Sequence, residues 1–349
     1  MGKNNIKHLL VIRLSAMGDV AMTVPVLKAL TEQHPHLQIT VLTRAFYRPM
    51  FTDLKNVRVY QADVNGKHKG ILGLWRLFTE LKTLGIDAVA DLHNVLRSSV
   101  LKRFFTLNNI PFIQIDKGRK EKRALTATKK KVFKPLKTTF QRYEDVFSQL
   151  GFPIQLETTE VLAKRELPQK VQQIIAPDNL KWIGIAPFAA YEGKMYPYGL
   201  MEEIIKALNN TNKYKIILFG GGDNQKKQAE QWSALYENCI NTIGRMSFEE
   251  ELALISNLDL MLSMDSGNGH LAAMFNIPTI TLWGITHPYA GFSPFNQASD
   301  NNLLSDRNKF PFIPTSIYGN KAPKGYENVM STILPETVIS RITSLLQMK

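Results

Sequence analysis

One cysteine, Cys239, occurs in 349 residues, so no disulfide framework is available and the chain fits a reducing compartment. Its place inside an apolar strand pattern makes it a core residue rather than a nucleophile. No run of 18 apolar residues occurs, which excludes a spanning helix of ordinary hydrophobicity. Polar Met1–Lys7 precedes the apolar run Leu9–Leu14, too brief for a signal peptide, so a cytoplasmic protein is expected. The seven histidines are scattered, HExxH and paired Cys/His spacings are missing, and no metal site or cofactor is expected. A G-x-S-x-G elbow and a GxGxxG fingerprint are absent too, which removes a serine hydrolase and leaves a dinucleotide site poorly supported.

Positive charge, by contrast, is in excess: 43 Lys+Arg against 30 Asp+Glu, a formal charge of +13. That balance suits nucleic acid, an anionic membrane surface or phosphorylated small molecules, and composition alone does not choose. The length suggests two or three domains. Strand patterns at His8–Leu14, Gln38–Thr43, Val57–Ala62, Ala88–His93 and Pro111–Asp116 alternate with helical ones at Val20–Leu30, Gly73–Leu84 and Asn94–Phe105. Such alternation predicts parallel pairing through right-handed crossovers, hence a doubly wound α/β domain over residues 1–165. A second unit repeats the pattern over 166–334, with strands at Trp182–Pro187, Lys215–Gly220, Cys239–Ile243, Leu258–Asp265 and Thr279–Trp283. Leu156–Asn179 reads as a linker, Asn296–Lys324 as irregular, and 335–349 as a final helix expected to return to the first domain.

Four loops carry candidate chemistry. Arg13-Leu-Ser-Ala-Met-Gly-Asp19 follows the first strand, where open α/β sheets place ligands, so Asp19 could act as a general base or merely cap the next helix. Asp265-Ser-Gly-Asn-Gly-His270 is a second strand-to-helix turn whose backbone N–H groups from Ser266 to Gly269 suit phosphate oxygens. His270 alone reads as a packed or capping histidine. Phe219-Gly-Gly-Gly-Asp223 could set Asp223 against a ribose or serve as a plain turn, and Lys194 could meet a phosphate or simply be solvated. The basic run from Lys117 through Lys129, Lys130 and Lys131 to Lys137 reads as a solvated face or as a contact for an anionic acceptor or leaflet. Aromatics are sparse there and no helix-turn-helix or RNP pattern occurs, so no nucleic-acid partner is expected.

Taken in order, Val11-Ile-Arg-Leu-Ser-Ala-Met-Gly-Asp-Val20 with Thr23-Val-Pro25, the Lys194 loop, the Gly-Gly-Gly-Asp223 turn, Ser263-Met-Asp-Ser-Gly-Asn-Gly-His-Leu-Ala-Ala273 and Asn276-Ile-Pro-Thr-Ile-Thr-Leu-Trp-Gly-Ile-Thr286 resemble glycosyltransferase family 9, the heptosyltransferases of the lipopolysaccharide core. The resemblance implies a GT-B architecture of two facing Rossmann-like domains with a cleft, the acceptor on the first and a nucleotide-sugar donor on the second. It implies inverting, metal-independent transfer, most readily of heptose from ADP-heptose to an anionic glycolipid. Asp19 would then be the base, with Arg13, Ser15, Lys129, Lys130 and Lys131 toward the acceptor. Lys194, Asp223, Asp265, Ser266, Gly267, Asn268, Gly269 and His270 would hold the donor. Ser266 stands where the family commonly has Thr, and Ala189-Ala190 replace its hydroxyl pair. A peripheral place at the cytoplasmic face of the inner membrane is compatible with this reading. The alternative is a non-catalytic binding module of the same fold, holding a nucleotide or a glycan.

Overall fold

The computed structural model describes residues 6–158 and 161–347. Its strands are β1 (His8–Ile12), β2 (Gln38–Thr43), β3 (Val57–Gln61), β4 (Ala88–Asp91), β5 (Phe112–Gln114), β6 (Lys181–Ala186), β7 (Tyr214–Leu218), β8 (Cys239–Asn241), β9 (Leu260–Met264), β10 (Thr279–Trp283) and β11 (Asn302–Leu304). The helices between them are α1 (Met17–Ala21), α2 (Thr23–Gln33), α3 (Gly70–Lys82), α4 (Leu96–Leu107), α5 (Arg119–Thr126), α6 (Thr139–Gln149), α7 (Gln169–Ile175), α8 (Tyr198–Asn209), α9 (Asp223–Leu235), α10 (Phe248–Ile255), α11 (Gly267–Met274) and α12 (Pro335–Gln347). Contacts divide the chain into two units: residues up to Arg119 with Lys137–Leu162, and Lys120–Leu136 with the chain from Ala163 onward.

The first unit holds a five-stranded sheet in the order β3-β2-β1-β4-β5, parallel throughout. Central β1, Leu9–Ile12, is fully buried, the continuous apolar run that a sheet covered on both faces requires. Helix α3 turns Leu74, Leu77, Phe78 and Leu81 inward at helical spacing, and Phe105 of α4 meets Phe78 edge-on at 5.0 Å. Helix α6 starts at a reciprocal cap, Thr138 Oγ1 accepting from Gln141 N at 3.1 Å. Helix α6 is not among the helices read from the sequence, although Phe140, Tyr143, Val146 and Phe147 recur at helical spacing on its buried face.

The second unit has a six-stranded parallel sheet, β11-β10-β9-β6-β7-β8. Strand β11 lies in the stretch read as irregular. It is only three residues long and pairs solely with β10. Pro168 sits at the N-cap of α7, so the expected linker carries a short helix. Helix α12 packs against α8 and β9 of this unit, with Val338 and Ile342 in its core, rather than on the first domain as expected. The basic segment Lys120–Leu136 also differs from expectation, since it belongs with the second unit. The amide of Leu136 donates to Tyr289 O, Lys122 lies 4.3 Å over the Phe292 ring, and Phe133 is covered by the Arg307 guanidinium at 3.4 Å.

Truncating the fully buried Phe105 to Ala should destabilise the first unit by about 3–5 kcal/mol in chemical denaturation. Leu107→Ala, two residues on and 81% exposed, should stay within about 0.5 kcal/mol of the parent.

Candidate active site

In an open parallel sheet, ligands gather at the carboxyl edge where the strand order reverses. In the first unit that reversal lies between β1 and β4, because β2 and β3 stack to one side of β1 and β4 and β5 to the other. In the second it lies between β6 and β9 for the same reason. The loops leaving these four strands carry Asp19, His93, Lys194 and Asp265-Ser266 respectively. Topology therefore brings three of the sequence candidates to switch points and adds a fourth group, around His93.

Asp19 is the third residue of α1, whose N-cap is Ala16. Its Oδ2 accepts from Arg13 Nη2 at 2.5 Å and, at 3.4 Å, from the amide of Ala16, following the cis Ser15–Ala16 peptide. Among the described residues its Oδ1 has no hydrogen-bond partner, and the side chain keeps 27% of its surface open. Arg13 is buried and donates to Leu92 O at 2.6 Å. Burial works against its charge, but Tyr143, Asp19 and Asp91 outweigh burial and raise its pKa. His93 accepts from Leu14 N through Nδ1 at 3.4 Å, and burial together with Arg13, Lys117 and Arg44 pushes its pKa down to about 3. The ring is therefore neutral at physiological pH. Burial, then Arg13 and Arg119, also lower the pKa of Lys117. Arg44 and Lys117 make no ion pair among the described residues, so this end of the sheet has cationic groups to spare. Asp91 closes β4 by accepting from His93 N and Asn94 N.

Lys194 ends a short 3-10 turn after β6 and meets Asp265 Oδ2 at 2.8 Å, both side chains nearly buried. Its methylenes lie across Gly319, where φ is +86° and an added Cβ would fall 2.2 Å from Lys194 Cδ. Gly193 O accepts from Ile285 N at 3.0 Å, tying this loop to the end of β10. Ser266 is the N-cap of α11, yet its hydroxyl caps nothing: the Oγ is buried with no partner. Ser247 at the start of α10 forms the ordinary cap, accepting from Glu250 N at 3.2 Å. A buried N-cap hydroxyl without a bond costs about 1–3 kcal/mol unless a ligand completes it. Beside it, the free N–H groups and positive dipole end of α11 favour an anion, and Lys194 supplies a full charge. Gly269 permits the helix to approach β9, since a Cβ there would meet Ser263 Oγ at 2.5 Å. Gly267 and Asn268 are partly open, and His270 is buried in the same turn.

Asp223 is the first residue of α9 at the end of β7, one strand away from the switch point, and is exposed. Its N-cap Gly222 has φ +88°, so that glycine is required by the turn itself. Ser15 is partly open beside Ala16. Lys129 and Lys130 are exposed in the segment that packs with the second unit. Lys131 is committed there: its Nζ donates to Leu125 O at 2.7 Å and Pro314 O at 2.8 Å, and burial followed by Arg307 lowers its pKa to about 8. Sequence reading passed over Arg44, Asp91, His93 and Tyr143. The signal that could have found His93 was its place directly after the fourth apolar strand.

Two parallel doubly wound sheets with polar loops at their carboxyl edges define a fold that places ligands at strand ends, and comparison with known proteins gives the family. The profile of glycosyltransferase family 9 (heptosyltransferase) matches residues 74–316, and the chain belongs to that family. It is 24% identical to the lipopolysaccharide core heptosyltransferase OpsX of Haemophilus influenzae, over 97% of each chain. It is 23% identical to lipopolysaccharide heptosyltransferase 2 of Escherichia coli, over 97% of this chain and 98% of that one. A family 9 glycosyltransferase from Veillonella parvula superposes with a TM-score of 0.76 at 20% identity, covering 98% of both chains. The E. coli heptosyltransferase WaaC with ADP superposes at 0.67 and 18% identity, covering 97% and 99%. Family membership makes this chain an enzyme rather than the non-catalytic module.

His93 and also His287, whose pKa burial and then Arg307 and Lys131 lower to about 4, stay neutral in the fold. An unfolded histidine protonates near pH 6.5, so below that value the unfolded chain binds protons that the folded one does not, and stability falls. Each should remove about 1.4 kcal/mol per pH unit as the pH drops from roughly 6.5 toward the folded value. Denaturation midpoints at several pH values check this, and His93→Gln should flatten the slope.

Proposed function

We propose that the enzyme transfers heptose from ADP-heptose to an anionic lipopolysaccharide core acceptor, with inversion at the anomeric carbon. The observation that carries the donor half is the unsatisfied Ser266 hydroxyl at the start of α11, with Lys194 held by Asp265 at the same switch point. The similarity to OpsX and to WaaC, described with ADP, supports the choice of donor. A lysine ammonium has three donors, so Lys194 can keep Asp265 while it meets a diphosphate oxygen. Gly267, Asn268 and Gly269 would offer backbone N–H groups, His270 would border them, and Asp223 would reach the ribose.

Asp19 is the base in this reading. Its Oδ2 is fixed by Arg13 and Ala16, which leaves Oδ1 for the acceptor hydroxyl proton. As that proton moves, the acceptor oxygen bonds to the anomeric carbon and the bond to the diphosphate breaks, its electron pair leaving with ADP. Lys194 and the α11 amides stabilise that departing charge without a metal. Arg13, Arg44 and Lys117 supply positive charge for an anionic acceptor beside Asp19, with Ser15 as a hydroxyl contact. Lys129 and Lys130 remain candidates for the outer part of that acceptor, and Lys131 for ordering their loop. Work at the cytoplasmic face of the inner membrane follows from a lipid-borne acceptor.

Asp19→Asn should lower kcat by about 10²–10⁴-fold while ADP binding, read by calorimetry, is unchanged. Wild-type turnover in that variant would remove Asp19 as the base. Lys194→Ala should weaken ADP binding by about tenfold or more, in line with a lost charge-assisted bond. NMR of the product should give an anomeric configuration opposite to the donor's, and retention would sink the single-displacement reading.

A further inference from the structure

Helices α3 and α4 pack together on the first unit, and their outer faces are apolar where solvent would favour polar residues. Ile71 is 70% exposed, Leu72 85%, Leu96 83% and Leu107 81%, and the Trp75 indole is half exposed. Between the two helices runs a groove of about 390 Å³ bordered by Ile71, Leu96, Val100 and Arg97. Trp75, on the same helix as Ile71, is held by edge-on contact with Phe104 at 5.1 Å and a tilted one with Phe78 at 5.4 Å. Large apolar side chains exposed on two packed helices, two of them, Ile71 and Leu96, lining one groove, mark a docking surface on a charged protein.

Charge identifies what docks. Across Gly70–Lys82 and Leu96–Leu107 there are five cations, Arg76, Lys82, Arg97, Lys102 and Arg103, against one acid, Glu80. Glu80 is already engaged by Lys67 at 2.6 Å, His68 at 3.1 Å and Tyr60 at 2.5 Å, and those contacts hold its pKa down to about 2. Arg76, Arg97 and Arg103 are exposed around the apolar residues. A second copy of this chain would bring the same cations face to face, which disfavours self-association. An apolar face with an interfacial tryptophan and an arginine rim matches a bilayer interface: the alkyl groups enter the acyl boundary while guanidinium groups meet lipid phosphates. The groove end of this face, at Ile71 and Leu96, adjoins the loop that leaves β4, which would set a docked bilayer beside the edge that carries His93.

We propose that the α3–α4 face docks the enzyme on an anionic lipid bilayer, with Ile71, Leu72, Trp75 and Leu96 inserted and Arg76, Arg97 and Arg103 on the headgroups. The inference deepens the preceding reading by naming the surface that brings the enzyme to a lipid-borne acceptor, and it rests on that reading for its purpose. It also separates membrane attachment from the Lys129–Lys131 segment.

The other three tryptophans, Trp182, Trp232 and Trp283, are at most 8% exposed, so a change of emission on adding vesicles reports chiefly on Trp75. The full chain should co-sediment with phosphatidylglycerol-rich vesicles more strongly than with pure phosphatidylcholine, with a blue shift of emission and loss at high salt. Leu72→Glu combined with Leu96→Glu, both at exposed sites, should bind about tenfold or more weakly while keeping wild-type far-UV circular dichroism. That variant should retain wild-type transfer to a deacylated, water-soluble acceptor and lose transfer to acceptor presented in vesicles. Arg97→Glu with Arg103→Glu should abolish the preference for anionic lipid. Wild-type vesicle binding by the double Glu variant overturns the proposal, as does an unshifted Trp75 emission on vesicles. Dimerisation that the Glu substitutions abolish would also overturn it in favour of a protein interface. Failure of the unmodified enzyme on the soluble acceptor would instead strike the transferase reading, leaving the vesicle result to stand on its own.

Discussion

Parallel pairing of β1 with β4, and of β6 with β9, is the constraint from which the rest of the site follows. A parallel pair needs a crossover, so the chain builds outward on one side of the first strand and must then return to its other side. That return leaves two neighbouring loops diverging to opposite faces of the sheet, with room between them. In each unit the loops at the reversal carry the ionisable groups. The apolar strands need no charge of their own, and their burial allows each loop to start from a rigid edge.

Electrostatics at the two edges differ in kind. In the first unit cations outnumber anions near Asp19, with buried Arg13 paired to that carboxylate and His93 kept neutral by burial and then by the surrounding cations. Such an edge fixes the orientation of a carboxylate and still has positive charge without an ion-pair partner among the described residues. In the second, Lys194 and Asp265 balance one another, and Ser266 is a buried hydroxyl at a helix start that lacks a hydrogen bond, as Ser263 and Thr286 nearby in the chain also do. The first edge thus suits an anionic hydroxyl-bearing group, and the second a phosphate that can share Lys194 and complete the helix start.

The outer face of α3 and α4 obeys a different economy. Core-facing positions Leu74, Leu77 and Phe78 explain why α3 exists as a helix, but they leave Leu72 almost wholly exposed and the Trp75 indole only half covered. Sequence pattern marks Gly73–Leu84 as helical, while the second apolar face shows only in the exposure of its side chains in the fold. The same holds for the segment Lys120–Leu136. Its charge run is plain in the sequence, whereas its attachment by Phe133, Lys122 and Leu136 to the second unit depends on partners over 150 residues away.

Sequence alone determined the class of the fold and the four motif loops. The repeating order of apolar strand and amphipathic helix allows little besides parallel sheets, and glycines at strand ends are local necessities such as the positive φ of Gly222. Short elements escaped it, β11 with one neighbour and α7 behind Pro168, because three to seven residues carry too little periodicity to be read. Tertiary structure decided which candidates matter to one another. Lys194 met Asp265 across 71 positions of chain, His93 came to stand against Leu14, Lys131 was spent on two carbonyls, and Ser266 was left without a bond. Each of these depends on strand order and on burial, which set distance and dielectric between residues far apart in the chain, and no local pattern encodes either.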